Sequence, residues 1–164
     1  MPSDLLEYLA QDHDRLDALL HRAARDPERV DRVPYDEFRP GLLRHIGIEE
    51  KIVLPAIARF QNGRQSADAE RLRLDHGALA ALMVPPPSAA ILRTIFSILA
   101  VHNPLEEGDG GIYRLLDELA GFEAEELLRK MKSAPEVPVM PYNERPEVLE
   151  ATRRALTRAG YEMK

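Results

Sequence analysis

Apolar residues recur every three or four positions through most of the chain, the spacing that lines them up on one stripe of an α-helix. Leu5, Leu9, His13, Leu16 and Leu20 form the first stripe, over about residues 4–24. Asp4 and Glu7 are placed for a capping box there, and Asp26-Pro27 ends it. The second stripe covers about 35–60 through Phe38, Leu42, His45, Glu49, Ile52, Ala56 and Phe60, and Asn62-Gly63 closes it. Pro40 falls near its start, where proline is tolerated, and Pro55 inside it predicts a bend. The third, over about 66–84, carries Ala69, Leu72, His76, Leu79 and Met83, and Pro85-Pro86-Pro87 stops it. Ser88 caps the fourth, whose stripe is Leu92, Ile95, Leu99, His102 and Glu106. Pro104, then Gly108, Gly110 and Gly111, predict a kink or break, with helix resuming over 112–119 and again over 122–132. No run of alternating β-branched residues is bounded by turn chemistry. The pattern is all-α, and short connections make it an antiparallel up-down four-helix bundle.

At Ser133 the pattern stops. The stretch SAPEVPVMPYNERP holds four prolines and reads as an extended linker, followed by a short helix over 146–159 that Gly160 ends. The expected division is a bundle over 1–132 and a linker with helical tail over 133–164. A helix this short is marginal alone, so it is expected to dock on the bundle, on a second copy or on a protein partner.

Composition narrows the class. With 164 residues the chain is sized for one domain, and with no Trp and four Phe its core must be Leu, Ile, Val and Ala, which suits helix packing. Net charge is −6 and no Lys/Arg block stands clear of acidic neighbours, so nucleic acid is excluded as a partner. No apolar run has membrane-spanning length. The start, MPSDLLEYLAQDHD, has neither the basic segment nor the long apolar segment of a secretory signal. Cys is absent, which removes disulfides, thiolate ligands and a Cys nucleophile. A cytoplasmic location is the expectation from these features.

The chemistry lies in the stripes. Four of the five His sit on them, one per helix, and two are followed four residues on by Glu: His45/Glu49 and His102/Glu106. Residues four apart share a helix face. A single His on an apolar face is usually a satisfied core residue, and a single His-x-x-x-Glu is commonly a surface pair. Four imidazoles and two carboxylates in one leucine-lined interior are another matter, because buried unpaired charge costs several kcal/mol. A metal pair satisfies all six groups: His13, His45, Glu49, His76, His102 and Glu106. Nitrogen and oxygen donors without sulfur suit iron first, then manganese or zinc. His21, eight residues after His13, is off the stripe and reads as a surface residue. Glu50 and Glu107 each follow a candidate ligand and read as solvated acids, with support of a ligand as the alternative. The two halves echo each other, each having a helix with one central His and then a helix with His-x-x-x-Glu.

The segments DHDRLDALL, LLRHIGIEEKIVLPAI, LRLDHGALAAL and LAVHNPLEEGDGGIYRLLDEL resemble the four helices of hemerythrin-like, HHE cation-binding domains. The resemblance covers roughly residues 4–120. Ferritin-like bundles match less well, because their Glu-x-x-His order is reversed here. The resemblance implies terminal ligands at His13, His45, His76 and His102, bridging carboxylates at Glu49 and Glu106, and two iron ions joined by an oxo or hydroxo bridge. Leu72 and Ala80 stand four residues either side of His76, so the His-x-x-x-His pair of the oxygen carriers is missing. The four-His, two-Glu set resembles the branch that includes iron-centre repair proteins of nitrosative stress, without their cysteine-bearing module. Fewer protein ligands leave positions for O2, NO or peroxide. The GDGG run delays Ile112-Tyr113 and raises Glu107 or Asp109 as replacements for Glu106. The expected function is a non-haem di-iron protein that binds such a ligand for sensing, storage or stress protection. The alternatives are a di-iron oxidase or NO-handling enzyme, and an interaction module with a structural metal.

Overall fold

The computed structural model describes residues 2–164. It is built from α1 (Asp4–Ala23), α2 (Arg32–Ile48), a π-helical turn (Glu49–Val53), α3 (Leu54–Phe60), α4 (Ala69–Leu82), α5 (Ala89–Glu107), α6 (Ile112–Ala120), α7 (Ala124–Lys132) and α8 (Pro146–Ala159). Among the described residues there is no strand, and no helix is long and apolar enough to cross a membrane. The fold is an all-α helical bundle.

Local chemistry sets the helix ends. Ser3, not Asp4, caps α1, its hydroxyl accepting from the Leu6 N–H at 3.2 Å, with Asp4 and Glu7 in the first turn. Asp31 caps α2 by accepting from the Val33 N–H at 3.1 Å, so this helix starts earlier than the pattern predicts and Pro40 lies in its interior. Ser88 caps α5 as expected, accepting from the Ile91 N–H at 3.2 Å.

The two expected breaks take other forms. At Pro55 the chain does not simply bend. Proline offers no N–H to the Lys51 carbonyl, and its ring would strike that carbonyl in a regular α-helix. The helix widens instead, and the Leu54 N–H reaches back five residues to the Glu49 carbonyl. Helix α5 runs on through Pro104 and ends only at Gly108. There the chain doubles back so closely that a Cβ on Gly108 would lie 2.4 Å from the Pro104 carbonyl oxygen, and one on Gly111 would lie 2.4 Å from that of Glu106. The left-handed φ of +78° at Gly110 completes the turn.

Two apolar clusters fill the bundle. One holds Leu16, Phe38, Leu42, Leu79 and Ile98; the other holds Leu9, Ile48, Leu72, Tyr113 and Leu116. The stripe His stand where one cluster gives way to the other: His13 between Leu9 and Leu16, His45 between Leu42 and Ile48, His76 between Leu72 and Leu79. The C-terminal segment lies on its own bundle. Leu156 and Ala159 of α8 join the first cluster, and the Thr152 hydroxyl donates to the Ala81 carbonyl at 3.1 Å. Along the linker, Arg44 donates to the Ala134 and Met131 carbonyls, Arg39 donates to the Met140 carbonyl at 3.1 Å, and Arg39 lies 3.9 Å from the centre of the Tyr142 ring.

Candidate metal centre

Helices α1, α2, α4 and α5 each deliver one imidazole, the π turn delivers Glu49, and the last turn of α5 delivers Glu106. All six side chains are buried. They form two groups, His13/His45/Glu49/Glu106 and Glu49/His76/His102/Glu106, with donor atoms within 4.8 Å of one another in each. The carboxylates are common to both. Glu49 places Oε1 3.1 Å from His45 Nε2 and Oε2 3.0 Å from His76 Nε2. Glu106 places Oε2 3.1 Å from His13 Nε2 and Oε1 beside His76 and His102. Every imidazole turns Nε2 inward.

The outward Nδ1 atoms meet a second set of carboxylates. Asp12 of α1 takes His45 at 2.8 Å, Glu50 of the π turn takes His76 at 2.7 Å, and Asp75 of α4 takes His102 at 3.0 Å. Glu107 of α5 closes the ring on His13 at 3.1 Å, at an angle too poor for a well-directed hydrogen bond. Each acid adjoins a candidate ligand in sequence yet serves the His of another helix. Such a partner fixes the tautomer that turns the Nε2 lone pair inward and holds the ring in place. Glu50 and Glu107 are therefore not merely solvated acids. Asp12 and Asp75 are additions that sequence reasoning missed; their signal is the paired Asp-His and Glu-Glu steps at 12–13, 49–50, 75–76 and 106–107. Arg15 and Arg71 in turn hold Asp12 and Asp75.

The glycine turn leaves Glu106 inside. Its neighbour Asp109 has a 99 % exposed side chain 3.4 Å from Arg114, and Glu107 is occupied with His13. His21 is exposed, bonded to the Asp17 carbonyl, with its ring edge on Phe96. Tyr113, at the start of α6, is the other residue that the pattern did not mark. Its hydroxyl sits among His13, His45, Glu49 and Glu106. A Tyr on an apolar stripe looks like any core residue, so periodicity alone does not reveal it.

The electrostatics are those of a cluster prepared for cations. Burial opposes charging the imidazoles, but hydrogen bonds and charge from Glu49, Glu106, Glu107, Glu50 and Asp12 outweigh it. His13 is raised to about 10, His45 to about 9 and His76 to about 11. Burial likewise works to raise Glu49 and Glu106, yet the surrounding imidazoles hold both below the usual carboxylate range. Burial, then the charges of Glu49 and Glu106, push the Tyr113 phenol well up. The donors fit a pair of metal ions: both carboxylates are shared by the two groups, Glu49 Oε2 is buried without a well-directed hydrogen bond, and there is no sulfur. Metal ions would displace the imidazole protons.

A small cavity of about 20 Å³ opens on the centre itself: His13, His45, Glu49, His102 and Glu106 line it together with Leu42, Leu79 and Leu99.

A helical bundle whose interior gathers two His/Glu groups around shared carboxylates is a cation-binding bundle. Residues 4–84 match the family model described as the Hemerythrin HHE cation binding domain, and the chain belongs to that family, as a four-His, two-Glu variant. The matched span runs from α1 to the end of α4 and takes in His13, His45, Glu49 and His76; α5 contributes His102 and Glu106 from beyond it. Comparison with curated proteins and with solved structures gave no match.

Proposed function

We propose that this chain is a non-haem di-iron protein that binds one small molecule, of the kind of O2, NO or peroxide, for sensing, storage or stress protection. In this reading His13 and His45 hold one ion, His76 and His102 hold the other, and Glu49 and Glu106 serve both. Iron suits the nitrogen and oxygen donors, and when bound it supplies redox chemistry and coordination positions that the protein leaves free.

The observation that carries the reading is the cavity. It is lined by donors of both groups, His13, His45, Glu49, His102 and Glu106, so a small molecule entering it meets the centre directly. Turnover of NO or peroxide uses the same space and differs from binding only in its kinetics.

The test is elemental analysis of anaerobically purified protein, with absorption spectra before and after air and then NO. About two irons per chain, matching the two groups, with spectra that respond to these gases, is the expected result. Protein that holds no transition metal even after reconstitution with ferrous iron overturns the reading. Sustained consumption of NO or peroxide would move it to an enzyme.

A further inference from the structure

Tyr113 is 1 % exposed and stands outside the six-residue set. Its phenolic oxygen lies 3.0 Å from His13 Nε2 and 3.0 Å from His45 Nε2, donates to Glu49 Oε1, and lies 3.4 Å from Glu106 Oε2. Those residues are one entire group of donors. No hydroxyl is within hydrogen-bond distance of His76 or His102, whose nitrogens meet carboxylates. Donors at right angles on one metal ion, with bonds of about 2.1 Å, stand about 3 Å apart. The phenol oxygen keeps that spacing to both imidazoles. The imidazole–carboxylate separations of the group, 3.1 Å for His13 with Glu106 and 3.1 Å for His45 with Glu49, are alike.

Chain geometry points the same way. Were α5 and α6 one unbroken helix, Tyr113 would lie about 10 Å further along the axis than Glu106. The doubled-back turn removes that separation, and it exists only because Gly108 and Gly111 have no Cβ to strike the carbonyls of Pro104 and Glu106. Once His13 and His45 give their Nε2 lone pairs to an ion, neither can donate to the phenol oxygen, and the ion is the remaining electrophile in reach.

We infer that Tyr113 is a fifth protein donor to the ion held by His13 and His45, so that the two metal positions are chemically unequal. This rests on the metal-centre reading above. On binding, the phenol O–H bond breaks, an oxygen–metal bond forms, the proton leaves to solvent, and no electron moves. A hard phenolate oxygen suits ferric iron, as Tyr-ligated haem shows.

The test loads the full chain with ferrous iron without air, oxidises it, and records visible absorption and resonance Raman spectra. A tyrosinate-to-iron charge-transfer band with enhanced tyrosinate ring modes is expected. The band should vanish in Tyr113→Phe, persist in Tyr35→Phe, and its loss should accompany roughly 10–100-fold weaker retention of one iron. Ferric protein without tyrosinate modes, or modes that survive Tyr113→Phe, overturns the assignment and leaves Tyr113 a hydrogen-bond donor to Glu49. The wild-type spectrum decides the matter even if Tyr113→Phe folds poorly. Wild-type protein that takes up no iron overturns the metal reading itself, and this assignment with it.

Discussion

At the residue scale, the design is a ring in which each carboxylate beside a candidate ligand serves the His of another helix. Asp75 shows how much hangs on one such acid: it holds His102 at 3.0 Å and is itself held by Arg71, which also donates to the Ala159 carbonyl. Asp75→Asn keeps the shape but weakens the grip on the imidazole. Metal affinity should fall roughly 10–100-fold, read by chelator competition, with the helical circular dichroism unchanged. Unaltered affinity would show that ring orientation is set by packing alone. A second prediction separates the acids after His102. Glu106→Ala should lose most of the metal, whereas Asp109→Ala should keep it, since Asp109 faces solvent. Equal loading in the two variants, by elemental analysis, would remove Glu106 from the ligand set. The six candidate ligands were legible because i, i+4 spacing is a local property of a helix. Asp12 and Asp75 were not, because their partners His45 and His102 sit on other helices, and adjacency in sequence concealed which imidazole each acid serves.

At the element scale, two departures from regular helix place the chemistry. The π turn starts at Glu49 and brings two consecutive acids to His76, Glu49 at 3.0 Å on Nε2 and Glu50 at 2.7 Å on Nδ1. Pro55 signalled a disturbance, and the helix meets it with the π turn Glu49–Val53. The glycine turn was also visible as a break, but Pro104 was the wrong marker for its position. Pro104 is carried inside α5, whereas the hard stop is backbone meeting backbone at Gly108 and Gly111. Gly111→Ala should therefore act like an overpacked core substitution. About 1–3 kcal/mol of stability should be lost in urea unfolding of the metal-free protein, with α6 and Tyr113 displaced and iron retention reduced. If Gly111→Ala unfolds and loads like wild type, the close approach to the Glu106 carbonyl is not a constraint.

At the scale of the whole molecule, the C-terminal segment is tied to the centre. Helix α8 buries Leu156 completely against the bundle, and Arg71 links the Ala159 carbonyl to Asp75 and so to His102. Leu156→Ala should cost about 2–5 kcal/mol in denaturant unfolding of the metal-free protein while leaving metal content intact. Removing residues 146–164 should do both, destabilising the bundle and loosening His102, with metal lost faster to a chelator. A truncated chain as stable and as metal-retentive as the full one would make the segment a passive appendage.

What the sequence by itself determined was everything periodic: the helices, the all-α class, and the four His and two Glu that share buried faces. These follow from 3.6 residues per turn and from side-chain chemistry within a few positions. Tertiary structure alone decided which acid holds which His, where the Tyr113 hydroxyl stands, how small the cavity is, and that α8 lies on its own bundle. Each of these is a contact between residues far apart in the chain, set by how helices pack and where two backbones can pass within van der Waals reach. No local rule along the sequence contains that information.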